Sequence, residues 1–107
     1  MRKYRKFKDY HIEQLRDPDD AKIYLSVAIE DYEKDEDIDA FLLAVRDVAE
    51  AQGGISKLAE RLSLTDEGLN KVLSENGNPQ LNTIREILHE LGFKFSIEAR
   101  ESRPHAV

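Results

Sequence analysis

The sequence contains no cysteine and no tryptophan in 107 residues. Disulfides and cysteine-based zinc sites are thereby excluded, and a cytoplasmic setting is expected. No apolar run approaches the ~20 residues that would span a bilayer, so no membrane contact is expected. The opening "MRKYRKFKDY" is basic but has no apolar stretch behind it, which argues against a secretory signal. The histidines, His11, His89 and His105, are scattered and lack cysteine or paired-acid neighbours at metal-ligand spacing. Asp35, Asp37 and Asp39 alternate as in a calcium loop, but such a loop needs Gly at its sixth position and an acid at its twelfth. Ala40 and Arg46 stand there instead. Gly53-Gly54 lacks the Lys-Ser/Thr of a phosphate loop. No Ser, His and acid set presents a catalytic candidate. The expectation is a protein that is not an enzyme, with no cofactor and no metal.

What the chain does contain is charge, unevenly placed. Its length suits one small domain. Net charge is −6, yet residues 1–8 carry five bases and no acid. Residues 9–52 carry fourteen acids and four bases, a net of −10. Residues 53–95 are near neutral, with six acids and five bases. The organisation read from this is a basic N-terminal arm over residues 1–16 and a single helical domain over residues 17–107. An acidic body suits a basic protein partner through complementary fields, although such acids are equally the solvated faces of helices.

Apolar periodicity and capping chemistry predict five helices. Asp17 is a natural N-cap ahead of Pro18, and Asp19 and Asp20 favour the positive end of the helix dipole. Ile23 and Val27, and Tyr24 and Ala28, recur at helical spacing, which predicts a helix over 18–33. Ile38, Phe41, Leu42, Val45, Val48 and Ala49 mark a second, ended by Gly53-Gly54. The third runs from Ile55 to Leu62, and the fourth from Thr65 as cap to about Ser74. The fifth is capped by Asn82, carries Ile84, Ile87, Leu88 and Leu91 inward, and ends at Gly92. The period then changes to two in "FKFSIEA", which predicts a half-buried β-strand at about residues 93–98. A lone strand leaves unpaired backbone groups. Phe93, Phe95 and Ile97 are therefore expected at a homodimer interface, the strand pairing with that of a second copy across a two-fold axis. The segment around Tyr4–Tyr10 is the alternative partner.

The stretch "GGISKLAERLSLTDEGLNKVLSENGNP" carries the most specific local pattern. Two short helices meet at a tight turn. Ala59 is small where they cross, Leu64 is expected to plug the turn, and Leu69 with Val72 pins the second helix onto the first. In a helix-turn-helix the N-terminal outward residues of the second helix face base edges. Here these are Thr65, Asp66, Glu67, Asn70, Lys71 and Ser74. Asn pairs bidentately with adenine, Lys reaches guanine or phosphate, and a carboxylate accepts from the cytosine amino group. Ser56, Lys57, Asn76 and Asn78 are placed to hold phosphates. Arg2 to Lys8 would add further contacts. Against this, Asp66 and Glu67 oppose phosphate, and Gly68 costs about 1 kcal/mol of helix propensity relative to Ala.

These residues resemble the HigA-type addiction-module antidote proteins, within the Cro/CI-like helix-turn-helix group. The resemblance rests on Gly53-Gly54, Leu58-Ala59, Leu73-Ser74, Gly77-Asn78-Pro79 and Thr83. It extends upstream through "LRDPDDAKIYLSVAIED" and "FLLAVRDVAEAQG", covering roughly residues 10–97. It implies an antitoxin that neutralises a basic RelE/ParE-like toxin and represses its own operon as a homodimer, with two recognition helices in successive major grooves. Tyr24, Asp31, Tyr32 and Glu33 are then candidates for the toxin-facing surface. The chain departs from the family pattern at the turn, where Ser63 stands in place of Gly, and in the recognition helix, where an Arg and a Tyr are replaced. A stand-alone transcriptional regulator and a protein-interaction module that has lost DNA binding are the other readings these residues allow.

Overall fold

The computed structural model describes residues 11–74 and 79–100. Among these are six helices: α1 (residues 11–14), α2 (Pro18–Asp35), α3 (Ile38–Ala51), α4 (Ile55–Arg61), α5 (Asp66–Val72) and α6 (Leu81–Glu90). The first helix is additional to the five expected. It brings Leu15, within the span read as an arm, into the core. Gln52, at the end of α3, holds this segment by donating its side-chain amide to the carbonyls of Leu15 (2.8 Å) and Arg16 (3.2 Å).

Local chemistry sets the helix starts. The Asp17 carboxylate accepts from the backbone N–H of Asp19 at 2.8 Å and of Asp20 at 3.4 Å, with Pro18 in the first turn. Asp37 caps α3 through the N–H of Ala40 at 3.3 Å. Thr65 caps α5 through the N–H of Gly68 at 2.9 Å. The sixth helix differs from expectation. Gln80 is at its N-cap position without a side-chain bond, and Asn82 lies one residue inside the helix, accepting from Arg85 Nε at 3.5 Å.

Three helix ends share one solution. Gly54 N–H bonds Ala49 O at 2.9 Å, Leu64 N–H bonds Ala59 O at 2.8 Å, and Phe93 N–H bonds Leu88 O at 2.8 Å. Each is the long reverse bond of a Schellman motif, which requires a left-handed residue just before it. Those residues are Gly53 (φ 124°), Ser63 (φ 59°) and Gly92 (φ 94°). Ser63 thus takes a glycine's place between α4 and α5 and carries the backbone strain that goes with a Cβ there. Ser63→Gly is expected to stabilise the fold by about 0.5–1 kcal/mol, the relief of strain outweighing the added freedom of the unfolded chain. A higher urea midpoint at unchanged slope is the readout; a lower midpoint would refute the assignment of strain.

The core joins Ala21 and Leu25 of α2, the Phe41, Leu42, Val45, Val48 and Ala49 stripe of α3, Leu58 and Ala59 of α4, Leu69 and Leu73 around α5, and Ile87 and Leu88 of α6. Of the two apolar pairs read in α2, only Tyr24 and Ala28 pack against this core, while Ile23 and Val27 are exposed. Adjacent stripes on a helix are one residue, about 100°, apart, and contact with α3 selects between them. Leu64 is also on the rim rather than inside the turn.

The strand expected at residues 93–98 is absent; no residue from 93 to 100 is in a strand. Phe93 closes the C-terminal cap of α6 and packs half-buried on the core, whereas Ile97 is 95% exposed. An alternating pattern expresses a side-chain preference, but a strand exists only when its backbone is paired. No described segment supplies that pairing.

Candidate functional site

Two surfaces collect the residues singled out in the sequence. The first is built on α4, the turn through residues 62–65 and α5. Leu69 is fully buried and holds α5 against the core, so the opposite side of this short helix faces outward. Lys57, Thr65, Asp66, Glu67 and Lys71 are exposed there. The N-termini of α4 and α5 lie side by side, because the Ser56 hydroxyl donates to Asp66 Oδ2 at 2.5 Å. That bond commits Ser56 and one Asp66 oxygen to each other. A Cβ on Gly68 would sit 3.1 Å from Thr65 Oγ1, so the glycine keeps the cap uncrowded. This gives a local reason for a residue that helix propensity disfavours.

Farther along α5, Ser74 is half-buried and donates its hydroxyl to Lys71 O at 2.9 Å. Asn70, expected outward, is half-buried, and its Oδ1 is covered with no hydrogen-bond partner among the described residues. In this arrangement the side chain does not present both amide atoms that bidentate adenine pairing uses. Asn76, Asn78 and the arm from Arg2 to Lys8 lie outside the described residues.

The second surface is formed by α2 and α3. The Tyr24 hydroxyl donates to Asp47 Oδ2 at 2.8 Å, and the His11 ring meets Tyr24 edge-on at 4.7 Å between centroids. Burial, then the hydrogen bond to Asp47 and its negative charge, push the Tyr24 phenol above its ordinary range. The hydrogen bond ties the two helices together. Asp31 and Glu33 are exposed, and Tyr32 is half-buried against the core. Tyr24, Val27, Ala28, Asp31, Ala40 and Ala44 line a groove of about 190 Å³ between the helices.

Sequence reading missed the Ser56–Asp66 and Tyr24–Asp47 pairs. Their partners stand 10 and 23 residues apart, and only the packing of helices brings them together. It also missed the groove, which Val27 lines because that residue is left outside the core. Among the described residues no group of three or more acids and histidines is placed to hold a metal ion, and no helix is long and apolar enough to cross a membrane.

A family model described as "Probable addiction module antidote protein" matches residues 5–99. An uncharacterized protein of Haemophilus influenzae is 28% identical over 92 residues, which cover 85% of this chain and 90% of that relative. No solved structure matches.

Proposed function

Because the chain belongs to the family of probable addiction module antidote proteins, we propose that it is the HigA-type antitoxin of a toxin–antitoxin pair. It neutralises a basic toxin of the RelE/ParE-like class and, as a cytoplasmic homodimer, represses its own operon. It works by binding and has no catalytic role. The observation that carries this reading is that the family match spans both surfaces: the acidic α2–α3 unit and the α4–α5 unit. The first, within the segment of net charge −10, suits a partner that handles RNA and is therefore basic. The second has the layout of a Cro/CI-like helix-turn-helix, with α5 as the recognition helix entering a major groove. Two copies would place their α5 helices about 34 Å apart.

The test is a titration of the protein against its own promoter DNA at two salt concentrations, alone and with the product of the small reading frame beside its gene. Sequence-specific binding that weakens with salt is expected. Lys71→Ala is expected to lower the log–log salt slope by about 1, as for loss of one phosphate contact. Absence of binding in both forms would remove the repressor half of the proposal. The acids at the start of α5 and the covered Asn70 Oδ1 favour a second reading in that event, a protein-interaction module in which the helix pair is retained as scaffold.

A further inference from the structure

We infer that the groove between α2 and α3 is the docking site for a cationic amphipathic helix of the neutralised partner, anchored on Val27 and flanked by carboxylates. This rests on the antitoxin reading and adds the location and chemistry of the contact.

The two helices that form the groove carry apolar residues that the core does not use. Ile23 is 61%, Val27 51% and Leu43 56% exposed. Ile23 and Val27 are one helical turn apart on α2. Leu43 is three residues from Ala40, which lines the groove from α3. Of the three, Val27 lines the groove itself, while Ile23 and Leu43 extend the exposed apolar surface of α2 and α3 beyond its lining. The alanines of the lining, Ala28, Ala40 and Ala44, leave room for the side chains of an incoming element. An amphipathic helix laid in such a groove reads it with apolar anchors at every third or fourth residue.

Charge selects the occupant. Asp31 lines the groove, the Asp47 carboxylate accepts from Tyr24 beside it, and the surrounding segment, residues 9–52, has a net charge of −10. A second copy would set this acidic face against itself and be repelled. A partner helix with Lys or Arg flanking its apolar ridge gains both burial and field complementarity. The apolar anchors provide affinity, and the carboxylates steer the approach.

Affinity for the product of the adjacent small reading frame, measured by calorimetry on the full chain, tests this. Val27→Ser removes an anchor without changing charge and is expected to weaken binding about tenfold. Ala40→Arg, at an exposed helix position, fills the groove with a cation and is expected to weaken it about 30-fold or more. Leu81→Ser, at a still more exposed apolar residue at the start of α6, is expected to leave affinity unchanged. Thermal melts by circular dichroism check that all three variants fold. If the wild type binds and both groove variants match it, the groove assignment fails while the antitoxin reading stands. The groove assignment also fails if Leu81→Ser weakens binding equally, or if sedimentation shows that Val27→Ser disrupts self-association of the free protein. If the wild type forms no complex, the antitoxin reading itself fails and the groove assignment with it.

Discussion

Leu69→Ala is expected to destabilise the protein by about 3 kcal/mol, within the usual range for emptying a fully buried leucine site. Leu69 has no exposed surface and is among the largest fully buried side chains of the core. It is also the only fully buried residue within α5, a helix of seven residues. A helix that short does not persist in water by itself, because nucleation is unfavourable and few bonds repay it. Its order comes from the anchor. The substitution should therefore act twice, lowering global stability and releasing α5 locally. Urea unfolding gives the first effect. Hydrogen exchange gives the second, as faster exchange across Leu69–Leu73 than across α3. A loss under about 1 kcal/mol would mean that neighbouring side chains close the cavity, contrary to the packing described.

Ala59→Leu is the complementary change and should cost about 2–3 kcal/mol through overpacking. Ala59 is completely buried in α4, and its carbonyl accepts the 2.8 Å bond from Leu64 that closes the turn toward α5. Extra carbons there must push α4 away from its neighbours or drive side chains off their rotamers. The consequence for function is selective. The α2–α3 unit shares the one core but is also held by its own Tyr24–Asp47 tie, which involves no residue of α4. Under the proposed function, toxin binding by this variant should persist at temperatures where promoter binding is lost. Equal loss of both activities would show that the two surfaces are not separable and would count against assigning them different partners.

Much of the fold was legible because it rests on short-range chemistry. Asp17, Asp37 and Thr65 cap their helices through N–H groups two or three residues ahead, and Gly53 and Gly92 supply the left-handed residues that end them. Ser63 was identifiable as the exception through the resemblance to a family pattern that carries Gly there. Features that depend on a distant partner were not legible. Periodicity offered two adjacent stripes on α2, and only contact with α3 decides that Tyr24 and Ala28 pack against the core while Ile23 and Val27 stay exposed. Asn70 reads as outward on a helical wheel, yet its Oδ1 is covered. The alternation of Phe93, Phe95 and Ile97 was genuine, but without a paired backbone it makes no strand, and the chain instead uses Phe93 to close α6.

Legible from the residues were the starts of α2 and α5, the glycine-terminated ends of α3 and α6, the apolar stripe of α3, the acidic character of the first half and the helix pair at α4 and α5. Each follows from residues within about one helical turn of one another, or from composition, and needs no folded partner. Only the packed molecule shows which stripe of α2 meets the core, that Ser56 holds Asp66, that Leu15 belongs to the folded body, and that residues 93–100 form no strand. These outcomes depend on which surfaces meet, and that choice is made by the summed burial and hydrogen bonding of the whole chain rather than by any one segment of it.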